Sequence, residues 1–288
     1  MKETINTPSK LGWLIIPLVF AWLASNYLWT SMKGSKPAWA DPPSTQGVVS
    51  GVSDTKVNPY YRNFGSLPRS KSGYVTFWFD DAWENQILHG LPVIRRFNLP
   101  AALSVPTGMI GYSGYMDWDD IKNLQHQGWE ITNHTVTHPD NVSDWPMADV
   151  YRELANSQKI MWHQGLTSSH FVSPLSTLTP NLVENARHLF VSLRSSEGGV
   201  NPLPLEDRYY LKSISLKYDT KPDILSSYIN QAASQNDWLI LVFHQIGSED
   251  TSGTPSAEYM ISQVRLEQII TEALEKGLVP ALPSQIIQ

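Results

Sequence analysis

From Gly73 onward, short apolar runs alternate with amphipathic stretches. The run YVTFWF (74–79) is apolar at successive positions, as a strand covered on both faces of a parallel sheet must be. ENQILHGLPVIRRF (84–97) has helical spacing, and AALSV (101–105) reads as a second strand. In DWDDIKNLQHQG, Asp117 caps a helix that Gly128 ends, and the strand WEIT follows. A longer helix over about 148–164, the strand-like HFVSP (170–174), the helix TPNLVENARHL with proline in its first turn, and FVSLR (190–194) continue the alternation. A helix at 222–235, the strand WLILVFH (238–244), a helix at 257–276 and the strand LVPAL (278–282) complete it. Repeated strand–helix units predict an α/β fold, a parallel sheet with helices outside, open or closed into a barrel.

The pattern is different before Gly73. LGWLIIPLVFAWLASNYLWT, starting at Leu11, has no charged residue and is long enough to cross a bilayer as a helix. Trp13, Tyr27 and Trp29 near its ends suit the interfaces. Residues 1–32 are therefore read as an uncleaved transmembrane anchor. The rival reading is a secretory signal segment, with Lys2 and Lys10 as its basic region and Ala38-Trp39-Ala40 as the cleavage site. Both readings predict an extracytoplasmic protein of the cell envelope, membrane-anchored or secreted. Residues 33–72, rich in Pro, Gly and Ser, read as a flexible linker, and 73–288 as the ordered domain.

Composition narrows the chemistry. With 41% hydrophobic and 17% charged residues in 288, the chain is of globular type. A net charge of −6 and a pI near 5.7 argue against a nucleic-acid partner, which needs a basic stripe. There are no cysteines, so a metal must be held by His, Asp, Glu or water.

Polar residues recur at the ends of the predicted strands, the place where parallel α/β folds put their sites. Asp80 and Asp81 follow the first strand, His134 and His138 the third, Ser173 and Ser176 flank Pro174 after the fourth, and Arg194 and His244 end later ones. Taken alone, the two histidines of NHTVTH read as a solvated turn, because a metal needs a third protein ligand. The adjacent carboxylates of FDDAW are costly at the edge of a core unless a cation neutralises them; a helix cap at Asp81 is the alternative. Together, Asp81, His134 and His138 make an open three-ligand site with room for water. His244 alone would be a hydrogen-bonded core histidine; near a metal it is a candidate general acid.

The stretches VTFWFDDAW, GWEITNHTVTH, HFVSPLS and WLILVFHQI resemble the successive motifs of the NodB-homology polysaccharide deacetylases, carbohydrate esterase family 4. The resemblance runs from about Gly73 to the C-terminus. It implies a distorted (β/α)7 barrel, here preceded by an N-terminal hydrophobic anchor helix. It also implies a hydrolase that removes N-acetyl groups, sometimes O-acetyl groups, from sugar polymers with a divalent metal, usually zinc. By the same resemblance Asp81, His134 and His138 hold the metal, Asp80 is the catalytic base and His244 the acid. Substrate binding falls to Pro174 and the backbone N–H around Leu175, to Thr135, which supports the turn or touches ligand, and to Trp83, which stacks on sugar or packs in the core. Tyr112 and Tyr115 carry the same two readings as Trp83.

Two departures from the family stand out. The third motif ordinarily begins with an arginine that orients the base; here that position is Val172, and the usual tyrosine and glycine are Leu175 and Ser176. Arg194 at the next strand end is assigned the orienting role, with a surface ion pair as its alternative. The fourth motif is missing, and Glu197 is the candidate to polarise His244. His89, His126, His163 and His188 read as surface helix positions, and His170 stays open. The sequence thus predicts a metal-dependent deacetylase of an envelope or matrix polysaccharide containing N-acetylglucosamine. An O-acetyl sugar esterase and a non-catalytic glycan-binding protein that retains the metal are the alternatives.

Overall fold

The central strand β1 (Tyr74–Phe79) is buried along its whole length, as its run of five apolar residues around Thr76 requires. The structure is a computed structural model that describes residues 65–248 and 258–287, all within one compact unit. β1 pairs in parallel with β7 (Trp238–Phe243) from Tyr74 opposite Trp238 to Phe79 opposite Phe243. On its other side it meets β10 (Val279–Pro280) at Tyr74 and Val75, then β2 (Ala102–Val105) at Trp78 and Phe79. β3 (Glu130–Asn133), β4 (His170–Val172) and β5 (Ser192–Arg194) extend the sheet beyond β2, and β6 (Ile214–Ser215) flanks β7. The order is β5-β4-β3-β2-β1-β7-β6. Arg194 of β5 also forms a parallel bridge with Leu211, in the segment that precedes β6. The expected (β/α)7 barrel is therefore a curled parallel sheet with no ladder between its edge strands β5 and β6 among the described residues; β5 is bonded instead to the chain around Arg208–Leu211.

The two faces of the sheet follow the pleat. Val75, Phe77 and Phe79 pack in the outer core with Leu103, Leu239 and Leu241 and with helix residues such as Ile121, Ile229 and Ile269. Tyr74 and Trp78 face the inside of the curl, together with Val172, Trp238, Ile240 and Val242. Polar partners run through this inner face: Trp78 Nε1 donates to Ser104 Oγ at 2.7 Å, and Trp238 Nε1 to Thr76 Oγ1 at 2.9 Å. All of the named inner positions are even-numbered, and the same parity carries β1 into Asp80 and β7 into His244.

Helices cover the outer face: α1 (Leu91–Arg96), entered through a π-helical turn at Gln86–Gly90, α2 (Trp118–His126), α3 (Met147–His163), α4 (Pro180–Leu189), α5 (Pro222–Gln235) and α6 (Gln263–Glu275). Asp117 caps α2 in a reciprocal box, its Oδ1 accepting from the Asp120 N–H while Asp120 Oδ2 accepts from its own N–H.

Three elements differ from expectation. The helix expected from 257 starts at Gln263, because Met260–Ser262 (β9) pairs in parallel with Gln245–Gly247 (β8) and Ser262 Oγ caps α6 by accepting from the Arg265 N–H. The strand LVPAL is cut to β10, after which the chain turns into a short α7 (Pro283–Ile286). β6 is too short to carry a hydrophobic period. The anchor segment 1–32 and residues 33–64 of the linker lie outside the described residues. Among the described residues, no helix is long and apolar enough to cross a membrane.

Candidate active site

The site is built on three strained loops. Eight non-glycine residues among those described have positive φ; two are Asn98 and Asn236, which lie outside the site and are, like aspartate and histidine, of a type that tolerates it best. The other six are Asp81 and Ala82 after β1, Thr135 and His138 after β3, and Leu175 and Ser176 after β4. Each such residue costs about 1–2 kcal/mol, so three adjacent loops share a backbone that their surroundings must enforce. The His-x3-His spacing is thus not helical. Its turn is closed by Asn133 Oδ1 accepting from the Thr135 N–H and by Thr135 Oγ1 accepting from the His138 N–H, both at 3.0 Å.

The turn aims both imidazoles at Asp81. His134 Nε2 and His138 Nε2 each lie 3.4 Å from Asp81 Oδ1. One ligand atom from each of the three residues falls within 4.8 Å of the others. His134 Nδ1 lies 2.8 Å from the Val172 carbonyl, which can only accept, so Nδ1 carries the hydrogen. Neutral His134 therefore presents a lone pair to a carboxylate oxygen, a repulsive contact unless a proton or cation lies between them. Burial opposes charge on His134, but Asp81 and Asp80 outweigh it and raise its pKa. Burial, and then the nearby His134, pushes His138 down to about 4, leaving its lone pair free near neutrality. Burial also opposes the Asp81 carboxylate, yet His134, His244 and His138 hold its pKa well below the usual range. With a cation in place of the proton on His134 Nε2, two nitrogen lone pairs and a carboxylate converge on one point, a donor set that fits a divalent cation of the kind imidazole and carboxylate bind. Trp83 steadies the trio: its Nε1 donates to Asp81 Oδ2 at 3.1 Å while its ring stacks on Tyr115 at 4.4 Å.

Asp80 is held separately. Arg194 Nη2 reaches its two carboxylate oxygens at 2.7 and 2.6 Å, Arg194 Nη1 donates to Ser213 Oγ at 3.0 Å, and the guanidinium lies over the Trp78 ring. Arg194 is completely buried, so the surface ion-pair reading is excluded. In the sheet register Arg194 is the β5 partner of Val172 on β4, the position where the family motif carries its arginine. Burial works against ionisation of Asp80, but Arg194, His134 and His244 prevail and lower its pKa.

His244 ends β7 with its ring 4.9 Å from that of Tyr259. Burial lowers its pKa, partly offset by Asp80 and Asp81. Its Nδ1 is buried without a hydrogen-bond partner among the described residues, Glu197 included. Glu197 as polariser is therefore a correction: it sits beyond β5, its carbonyl bonded to the Ser213 N–H. A residue not singled out in the sequence, Gln86, ties the pair together by donating from Nε2 to the carbonyls of Asp80 and His244, each at 2.6 Å.

A cleft of about 810 Å³ opens over these groups, lined by Asp80, Asp81, His134, His138 and His244 and also by Trp83, Leu175, Lys217 and Tyr259. Thr135 and Pro174 do not line it: both are buried, and the Thr135 hydroxyl is committed to the His138 N–H. Thr135 supports the turn. Tyr112 is half exposed away from the cleft lining. His126, His163 and His188 are exposed and His89 is partly covered, whereas His170 is fully buried beneath the site.

The model of the polysaccharide deacetylase family matches residues 68–191, from just ahead of β1 to the edge of β5. The match covers less than half of the 288 residues and takes in Asp80, Asp81, His134 and His138 but neither Arg194 nor His244. No curated protein matches it. Among solved structures, the family 4 domain of a multidomain xylanase from the hindgut metagenome of Trinervitermes trinervoides is 16% identical, with 75% of this chain and 89% of that one covered at a TM-score of 0.51. A family 4 carbohydrate esterase from Streptomyces lividans, solved with acetate, is 16% identical over 74% of this chain and 94% of that one at 0.50. A family 4 pseudoenzyme from Bacillus anthracis is 14% identical over 77% and 68% at 0.51. At such identities the likeness is one of fold, and the pseudoenzyme among these structures makes the side chains of the site, not the fold, the ground for any activity.

Proposed function

We propose that this protein is a metal-dependent deacetylase that removes N-acetyl groups from an envelope or matrix polysaccharide containing N-acetylglucosamine, held outside the cytoplasm by residues 1–32. The observation that carries the reading is that one cleft contains both the Asp81–His134–His138 trio and a carboxylate, Asp80, held ionised by a buried arginine. A divalent cation, zinc in this reading, would be held by Asp81, His134 and His138 and supplies Lewis acidity toward the acetyl carbonyl and the attacking water. Asp80 takes the proton from that water, and Arg194 fixes the direction from which it does so. The N–H of Leu175, on its left-handed turn at the cleft, donates to the developing oxyanion. His244 delivers a proton to the departing amine nitrogen, without which the tetrahedral intermediate would expel water again.

One observation favours a second reading, an esterase acting on O-acetyl sugars. His244 Nδ1 lacks a partner to orient the ring, and an alkoxide leaving group depends less on a positioned acid than an amine does. Acetate release from matched N- and O-acetylated oligosaccharides, with chelator and with zinc restored, tests both. The expected result is release from the N-acetylated set, lost on chelation and recovered with zinc. Preference for the O-acetylated set would support the esterase, and tight glycan binding with no acetate from either would sink the enzymatic reading.

A further inference from the structure

The histidine loop is gripped from outside the cleft by one face of α3. Glu153 and Ser157 lie one helical turn apart there, so their side chains point the same way. Glu153 Oε1 accepts from the Val136 N–H at 3.0 Å, the Thr137 N–H at 2.6 Å and the Thr137 hydroxyl at 2.8 Å. Ser157 Oγ donates to the Thr135 carbonyl at 2.8 Å. Three residues separate His134 from His138, and these two side chains hold all three by the backbone. Both are buried, and neither lines the cleft. No cation pairs with Glu153 among the described residues, so its buried carboxylate is compensated by the loop donors.

We propose that Glu153 and Ser157 are positioning residues that set His134 and His138 in advance of the cation and thereby fix its affinity, an inference that rests on the metal-binding reading above. The loop has left-handed residues at Thr135 and His138 and no helical ladder of its own, so the convergence of the two imidazoles depends on what holds the segment between them.

The test is zinc affinity of the full chain, measured by competition with a chromophoric chelator, alongside thermal unfolding of the metal-free protein. Glu153→Ala is expected to weaken zinc binding by about 10- to 100-fold. Glu153→Gln, which keeps an acceptor oxygen, should restore most of that loss. A merely structural role would lower the unfolding temperature of the metal-free protein and leave zinc affinity of the folded form unchanged; that result, or equal losses for Ala and Gln, overturns the proposal. Should Glu153→Ala fail to fold, Ser157→Ala decides, since a loss of about three- to tenfold is expected from one hydrogen bond and an unchanged affinity overturns it. Absence of zinc binding by the unaltered protein would instead remove the metal reading itself.

Discussion

Two histidine–carboxylate clusters occupy opposite ends of the same curled sheet, the one at the foot fully buried and the one at the top partly open to the cleft. At its foot, His170 Nδ1 lies 2.7 Å from Ser192 Oγ, and its Nε2 lies 2.9 Å from Ser284 Oγ and 3.0 Å from Glu130 Oε1. Glu130 also accepts from the Ser284 N–H and hydroxyl. At the top, Asp81 faces two imidazoles at 3.4 Å, and Arg194 Nε, His244 Nδ1 and Gln86 Oε1 have no partner among the described residues. Both clusters grow from the same inner face: Glu130 and His134 lie four residues apart along β3 and its loop, about 13 Å, and Ser192 and Arg194 share β5. Residue type does not separate them. The foot is a closed set of hydrogen bonds, whereas the top leaves valences open beside a cleft, and unfilled valences at an accessible place mark chemistry.

The largest effects should divide the clusters most sharply. Asp80→Asn keeps the shape and the hydrogen bonds to Arg194 in part but removes the base, and turnover should fall by about 10³-fold or more with zinc affinity retained. Full activity in this variant would falsify the proposed mechanism. Arg194→Ala should cost about 3–5 kcal/mol of stability by leaving Asp80 buried without its partner, together with a kcat loss greater than any change in KM. Arg194→Lys should not restore kcat, because an ammonium cannot reproduce the planar fork. At the foot, His170→Ala should cost about 1–3 kcal/mol by stranding the Ser192 hydroxyl and Glu130, while kcat of the folded protein stays as it was. A loss of kcat with the unfolding temperature unchanged would mean that the foot belongs to the active machinery after all.

The sequence discloses the two ends unequally. β1 and β7 are legible in full because each is an apolar run between polar neighbours, and the residues just past them, Asp80 and His244, are legible as strand-end chemistry. The trio of Asp81, His134 and His138 can be read as a ligand set from residue type and placement, but its strained loops cannot, since left-handed φ at aspartate, threonine and leucine has no local signature. Arg194 illustrates the limit. Its position at a strand end is visible; that it sits level with Val172 and reaches Asp80 depends on the β4–β5 register, which only the folded sheet sets. Gln86, Glu153 and the partners of His170 at the foot have no signal in the sequence for the same reason, and His170 stays open there, because each acts through a partner distant in the chain. The β8–β9 pair has three residues per strand, too few to show a period against the helical pattern that follows.

The finest test compares one chemical change at each end. Ser192 and Ser213 are both fully buried serines with one hydrogen bond to a charged or ionisable side chain: Ser192 to His170, Ser213 to Arg194. Ser192→Ala should lower the unfolding free energy by about 1 kcal/mol, and Ser213→Ala, which also loses the bond from the Ser213 hydroxyl to the Ser195 carbonyl, by about 2 kcal/mol, at the usual net value of such bonds. Ser213→Ala should in addition reduce kcat several-fold with KM and zinc affinity unchanged, because Arg194 then holds Asp80 with one of its own anchors gone. Ser192→Ala should leave kcat untouched. Steady-state kinetics on N-acetylated oligosaccharide, paired with thermal unfolding of each variant, reads both quantities. If Ser213→Ala matches Ser192→Ala in every respect, the orientation of Asp80 does not depend on how Arg194 is held, and the open cluster is more tolerant than its geometry implies.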